Sequence, residues 1–386
     1  MDFESIGNIL SLHRGYDLTT KEMKDGTIPV AGSNGVIGFH NTSLVDSPAI
    51  TVGRSGSVGK VHYYDTPIWP HNTSLYVDDF KGNNPMYIYY LLRLLDLEKL
   101  CDNSVVPSLN RNFVYPLKVP FIKGEKRQEK TIKILKIIDG LIGLKRKENT
   151  ILESIAKQIY DYWFVQFDFP NEDGKPYKSS GGKMVWNETL KREIPEGWND
   201  TQLGDVLICN NESTTQGKHL EGLPYCPIDE IPIRKMSFAG GKNWNEANSS
   251  LQLYKKKDIL IGAMRVYFHR CCIAAENGIT RTTTLVLKPY DKELLGYFYQ
   301  ICNEERAFSY ANQVSAGTQQ PYVTWNSLAK YYFPYPNNPS LIRKYSKKVD
   351  TIIDLVITNV KEINALQSLR DYLLPLLMNG QVTIKD

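Results

Sequence analysis

Arginine, lysine, glutamine and histidine are the side chains that hold phosphates and read base edges, and one stretch of this 386-residue sequence concentrates them. From Lys218 to Lys288 eleven Lys or Arg stand against six Asp or Glu, a local net charge of +5, with Trp244, Tyr267, Phe268 and His269 interleaved. Arg265, His269, Arg270 and Arg281 form the densest cluster. A guanidinium can fork onto guanine in the major groove, Gln319 and Gln320 could pair with adenine, and Lys218 and Lys242 extend the patch toward phosphate. For any one of these, a solvent-facing strand residue is an equal alternative. Near the N-terminus, GSNGVIG from Gly32 and GRSGSVGK from Gly53 share a GxxGxxG spacing. Neither is a P-loop: Gly53 and Gly59 enclose five residues rather than four, and Val61 follows Lys60 into a strand-like run. They read as tight turns between strands, through which Arg54, Ser55 and Lys60 could approach a phosphate backbone. His71 and Arg111 complete the candidate DNA-contacting set.

Chemistry of other kinds is missing from the sequence. There is no GxSxG elbow, no HExxH, no CxxC among the six cysteines, and the six histidines are scattered, so neither a catalytic residue nor a metal ligand is nominated. No proline-proline aromatic motif of an amino-methyltransferase and no Pro-Asp dipeptide of the common nuclease core occurs. Catalysis is expected elsewhere. With 42% hydrophobic, 11% aromatic and 23% charged residues the chain is globular, long enough for two or three cores, and its net charge of +4 alone announces no nucleic-acid binder. No run approaches 18 apolar residues and MDFESIGNIL is no signal peptide, which points to a cytoplasmic protein without a membrane partner.

The elements that must position the candidates repeat. Ser5-Ile6-Gly7-Asn8-Ile9-Leu10 echoes Gln202-Leu203-Gly204-Asp205-Val206-Leu207, and Thr73-Ser74-Leu75 echoes Thr283-Thr284-Leu285. Pro107, Asn112 and Pro120 recur as Pro321, Asn326 and Pro334, all displaced by 214. Collinear echoes of this kind signal an internal duplication. Short β-branched and aromatic runs fill each half, and each half ends in a long helical pattern. The first pattern predicts a seam through Ile134, Leu141 and Ile155, together with Ile137, Leu144, Ile151, Ile159 and Tyr162; the second a seam through Val349, Val356 and Ile363, with Asn379-Gly380 as its stop. At 1.5 Å per residue each helix would run roughly 55 Å, and each stripe is expected to cover the other. Lys123 to Lys147 carries nine Lys or Arg against three acids, a charged face that reads equally as a solvated coiled-coil flank or as a contact to DNA phosphates. Residues 167–198, rich in Gly, Pro and Ser, predict a linker or loop.

At this point the order of parts resembles the specificity subunit of type I restriction-modification enzymes. The likeness rests on Trp163-Phe164-Val165, Phe167-Asp168-Phe169-Pro170, Gly181-Gly182-Lys183-Met184-Val185 and Ile194-Pro195-Glu196-Gly197-Trp198, and on VGRSGSVGKVHYY. It implies an α+β architecture with two β-rich target recognition domains, 1–122 and 198–340, joined by spacer helices at 123–164 and 341–380 that pack as an antiparallel coiled coil with pseudo-twofold symmetry, and a linker at 165–197. It further implies a noncatalytic chain that reads a bipartite asymmetric site on double-stranded DNA. Two methyltransferase subunits and two restriction subunits would attach to it, and S-adenosylmethionine, ATP and Mg would be used by those partners, with no cofactor in this chain. A noncatalytic scaffold whose duplicated domains bind protein or glycan is the alternative. Steep salt dependence of binding would separate the two.

Overall fold

In the computed structural model residues 2–100, 107–317 and 319–384 are described. Cys101 lies outside them. The chain divides into two compact units, Met1–Leu141 with Gln367–Asp386, and Ile142–Leu366.

The first unit is organised on an antiparallel sheet in the order Ser11–Arg14, Ser74–Asp79, Ala49–Gly53, Val61–Tyr64. A second sheet orders Gly35–His40, Ile28–Gly32 and Trp69–Pro70, and the strand Asp2–Ser5 pairs with Lys118–Phe121 as a separate ribbon. The helix Pro85–Leu94 begins where proline costs nothing, and the Asn84 side chain accepts from the amides of Met86 and Tyr87. Its inner face, Tyr87, Ile88 and Leu91, packs with Ile50, Val52 and Leu75 of the sheet.

The second unit repeats this order: Leu207–Cys209, Thr284–Pro289, Ile259–Gly262, Cys271–Ala274, with Ser237–Phe238 added in parallel at one edge. Its ribbon pairs Trp198–Gln202 with Tyr332–Pro336, and helices Leu295–Cys302 and Glu305–Gln313 cover one side. The adjacent cysteines have a plain explanation. Successive strand residues point to opposite faces, so Cys271 fills one core cluster and Cys272 another, and burial pushes both thiols well above their ordinary pKa.

The predicted linker is folded. Met184–Asn187 and Arg192–Pro195 form a hairpin, and Phe167, Phe169, Ile194 and Trp198 lie in the main core of the second unit. Phe169 is sandwiched between Tyr177 at 4.7 Å and Trp198 at 5.5 Å, and the Arg192 guanidinium sits 4.7 Å over the Phe167 ring. Aromatic anchors at irregular intervals leave no period for a sequence pattern to reveal.

The two long helices run over Glu125–Tyr160 and Ser340–Met378, the second stopping ahead of Gly380 at φ 67°. Within each unit segments of the two pack antiparallel. In the first, Arg370 donates to Asp139 at 2.8 Å, and Ile132 and Leu135 share a core with Leu374 and Leu377. In the second, Asn359 donates to Asn149 at 2.8 Å and Tyr345 to the Ala156 carbonyl at 3.0 Å. Of the predicted seam, Val349, Val356 and Ile363 are buried, Val349 against Gly296. The seam fails on the central helix, where Ile134, Leu141 and Ile155 are 38%, 42% and 42% exposed, as are Ile137, Leu144, Ile151 and Tyr162 to similar or greater extents. The buried stripe is Ile132, Leu135, Ile138, Ile142, Asn149, Ala156 and Tyr160. For most of its length this lies one residue further on, about 100° round the helix.

Candidate nucleic-acid interface

Each unit carries one turn at the same place in its sheet, and each turn is tied down the same way. The Arg54 amide donates to the Thr73 carbonyl at 2.8 Å, and its own carbonyl accepts from Leu109 at 2.8 Å. In the second unit the Ala263 amide donates to Thr283 at 2.9 Å, and its carbonyl accepts from Val323 at 3.0 Å. The sequence echoes Thr73/Thr283 and Pro107/Pro321 flag these two latches, and a third echo matches as well. Gly7 donates to the Tyr115 carbonyl and Gly204 to that of Ala329. A short helix follows each latch, with Asn110 accepting from Asn112 at 3.0 Å and Thr324 from Ser327 at 3.3 Å. Two loops thus meet in each unit: the hairpin turn, and the segment that enters the short helix.

In the first unit the turn 54–60 is compact because Gly53 lets the Ser57 carbonyl approach to where a Cβ would stand. Its polar side chains brace the loop as well as lining it. Arg54 donates to the Asn72 carbonyl at 3.3 Å, exposed Lys60 to Asn34 at 2.8 Å, and half-buried His71 faces the Thr73 hydroxyl at 2.9 Å. Ser55 bridges to Ser108, and Arg111 donates to the Leu12 carbonyl at 2.9 Å. Beside them Phe113 is 53% exposed, an apolar neighbour the sequence does not single out.

The second unit separates its candidates sharply. Arg265 is exposed, its backbone in the left-handed region at φ 50° with the amide donating to Pro321 at 2.8 Å, and its guanidinium makes no hydrogen bond or ion pair to the described residues. Gln319 and Gln320, both exposed, lead directly into Pro321, so the fold brings these three together. Lys218 is exposed, and Arg281, also exposed, donates to Ser249 at 2.9 Å. Three candidates are engaged within the fold. His269 is buried, stacks on Phe308 at 3.7 Å and faces the Asn303 carbonyl and side chain; burial lowers its pKa, so it presents no cation to a phosphate. Arg270 donates to the carbonyls of Asp229 and Ile231 and so pins that loop. Lys242 is paired with Asp229 at 3.3 Å and Glu230 at 3.7 Å.

The central helix exposes further apolar residues in each unit: Ile134, Ile137 and Leu141 in the first, beside exposed Lys133 and Lys136, and Leu144, Ile151 and Ile155 in the second, beside exposed Arg146 and Lys147. The sequence shows this stripe, and only its partner is misread: two overlapping apolar registers occupy one helix. Among the described residues no group of three or more His, Cys, Asp and Glu is placed to hold a metal, and no helix is long and apolar enough to cross a membrane.

Residues 1–154 match the model of the type I restriction modification DNA specificity domain. The chain is 25% identical over 318 residues to the type I restriction enzyme MjaIX specificity subunit of Methanocaldococcus jannaschii, covering 78% of this chain and 69% of that one. It is 22% identical over 320 residues to the HindI specificity subunit of Haemophilus influenzae, covering 68% of each. In fold it is similar to the crystal structure of a type I restriction-modification S subunit from M. genitalium, with a TM-score of 0.60 at 16% identity, over 97% of this chain and 95% of that chain. The first 154 residues thus match a type I specificity domain, and the chain is similar along most of its length to specificity subunits of type I restriction enzymes, with the fold of an S subunit.

Proposed function

We propose that the chain is the noncatalytic DNA reader of its complex, with the two latched turns as the reading surfaces, each addressing one half of a bipartite, asymmetric site. The observation that carries this is the repetition of the latch: a turn tied beneath by the same backbone bonds in both units, with Arg265, Gln319 and Gln320 gathered beside the second and Lys60 beside the first. Folded β scaffolds that present polar loops at equivalent points suit two independent words better than one continuous surface. In this reading the domains are those expected from the sequence, 1–122 and 198–340, and the paired helices act as a coiled-coil spacer with pseudo-twofold symmetry.

The exposed stripe on the central helix would dock methyltransferase subunits, two of them, through a helix bearing apolar residues and acids to meet the basic flank. Two restriction subunits would join that assembly in the cytoplasm, and S-adenosylmethionine, ATP and Mg would be used by the partners.

The test is binding of the full chain, assembled with its methyltransferase subunits, to a duplex carrying the motif found by methylome sequencing, measured over rising salt. Affinity should fall steeply, roughly 10³- to 10⁵-fold between 50 and 200 mM salt if about six to ten phosphates are held. Affinity that hardly changes would overturn the reading and favour a protein- or glycan-binding scaffold.

A further inference from the structure

The second latched turn differs from the first in what it projects. Between Arg265 and His269, both in the left-handed region at φ 50° and 53°, the chain makes a tight turn in which Val266 is 1% and His269 4% exposed, whereas Tyr267 is 58% and Phe268 39% exposed. The anchors face inward and the two aromatic rings outward, their centroids 4.8 Å apart. Left-handed backbone at two non-glycine residues is sustained only where the surroundings fix it. Here Arg265 donates to Pro321, Phe268 to the Arg265 carbonyl at 3.0 Å, and His269 to the Val266 carbonyl at 2.9 Å, while the His269 ring is clamped on Phe308. Exposed Tyr267 and Phe268 are therefore displayed on a rigid mount. The matching turn of the first unit holds Ser55, Gly56, Ser57 and Val58 and no aromatic residue.

We propose that this turn is a wedge: on bound duplex Tyr267 enters between two stacked bases with Phe268 behind it, and Arg265 meets the adjacent backbone or base edge. The proposal rests on the DNA-reading role above and adds a mode of reading to it, the ease with which one base step opens. Aromatic faces stack on bases of any identity, and apolar side chains inserted at a step kink the duplex and favour steps that unstack readily. Charge decides between a nucleic acid and an apolar protein face. The guanidinium of Arg265, the residue that opens the turn, is exposed and makes no ion pair to the described residues, and it would be left unpaired against an apolar protein surface but not against phosphate.

The test uses the full chain with its methyltransferase subunits and duplexes of its methylome motif, with 2-aminopurine placed at one position at a time. Binding should raise 2-aminopurine fluorescence severalfold at one step within the half-site read by the second unit. Tyr267→Ala should abolish that rise and weaken binding roughly 5- to 100-fold, whereas Tyr267→Phe should retain both. Salt-sensitive binding of the unaltered chain with no rise at any position would overturn the wedge and leave the DNA-reading role standing. A rise that persists in Tyr267→Ala would also overturn it, since the unstacking would then arise in the partner subunits. Loss of methyltransferase subunits from Tyr267→Ala on gel filtration, with DNA binding intact, would make the turn a protein contact instead. Absence of salt-sensitive DNA binding by the unaltered assembly would remove the wedge together with the role it rests on.

Discussion

Arg265 and Asp350 are two charged residues in opposite circumstances. Arg265 holds a guanidinium that is unpaired among the described residues, on a fixed backbone, so little backbone ordering remains to be lost when it binds. Arg265→Ala should weaken binding by about 1–3 kcal/mol and relax a single base position if the guanidinium forks onto guanine. Equal weakening on every sequence, with the salt slope reduced by about one, would mean a phosphate contact, and Arg265→Lys would then restore most of the affinity. Asp350 is half-buried on the C-terminal helix beside the Gly296 backbone, and among the described residues one of its carboxylate oxygens has no close hydrogen-bond partner. Burial pushes its pKa up to about 6 against the pull of Lys257, which is 2.8 Å from Asp354 on the next turn. The folded state therefore binds the proton more tightly than the unfolded chain does. The contribution favours folding at low pH and is lost as pH rises from about 4 through about 6. Asp350→Asn should stabilise the protein at pH 7.5 by about 1–2 kcal/mol, allowing for solvent screening at a half-exposed site, and the gain should fade toward pH 4. Thermal melts of the two proteins across that range check it; a gain independent of pH would mean that packing, not charge, is responsible.

At the level of elements the central helix carries two apolar stripes, and among the described residues only one is covered. Leu135 is fully buried, whereas Ile151 is 60% and Ile155 42% exposed. Ile151→Glu with Ile155→Glu should change stability by no more than about 0.5 kcal/mol per site while ending copurification of the methyltransferase subunits, and Leu135→Glu, an unpaired carboxylate in a core, should cost several kcal/mol. Unchanged copurification of the double variant would assign partner docking to another surface. The same helix explains what could be read in advance. Periodicity revealed its existence, length and approximate ends, because a three-four pattern sustained over about eight turns has few other meanings. It could not say which of two overlapping registers faces inward, because Ile134 and Leu135 are equally apolar. The deciding residues are polar: Gln128 and Asn149 are buried on the inner stripe, and Asn149 takes the Asn359 amide. A similar limit applies at the second turn. The basic and aromatic cluster was visible, but only three-dimensional packing shows that Arg265 and Tyr267 face solvent while His269 is buried and Arg270 is spent on carbonyls.

For the whole molecule the important feature is how the chain enters and leaves each sheet. Asp2–Ser5 pairs with Lys118–Phe121, and Trp198–Gln202 pairs with Tyr332–Pro336, so the two ends of the segment between them lie side by side in an antiparallel ribbon in each unit. A segment whose ends adjoin can be exchanged without stretching its surroundings, which is the geometry that tolerates domain replacement. The register Trp198↔Pro336 fixes the junctions in the second unit, within the span 198–340. One constraint crosses them. Trp198 stacks on Phe169, and Tyr297 of the exchanged segment lies 4.8 Å from Phe164 and 6.0 Å from Tyr160, so a donor must supply aromatic residues at those positions or leave a cavity in the core. Replacing residues 198–340 by the matching segment of a relative that meets this condition should therefore give a soluble chain whose methylation motif changes in one half and keeps the other. Methylome sequencing of cells carrying the exchanged chain with its partner subunits reads both halves at once. A motif altered in both halves would mean that the two units do not read independently, and an unaltered motif would place the base contacts outside the exchanged segment.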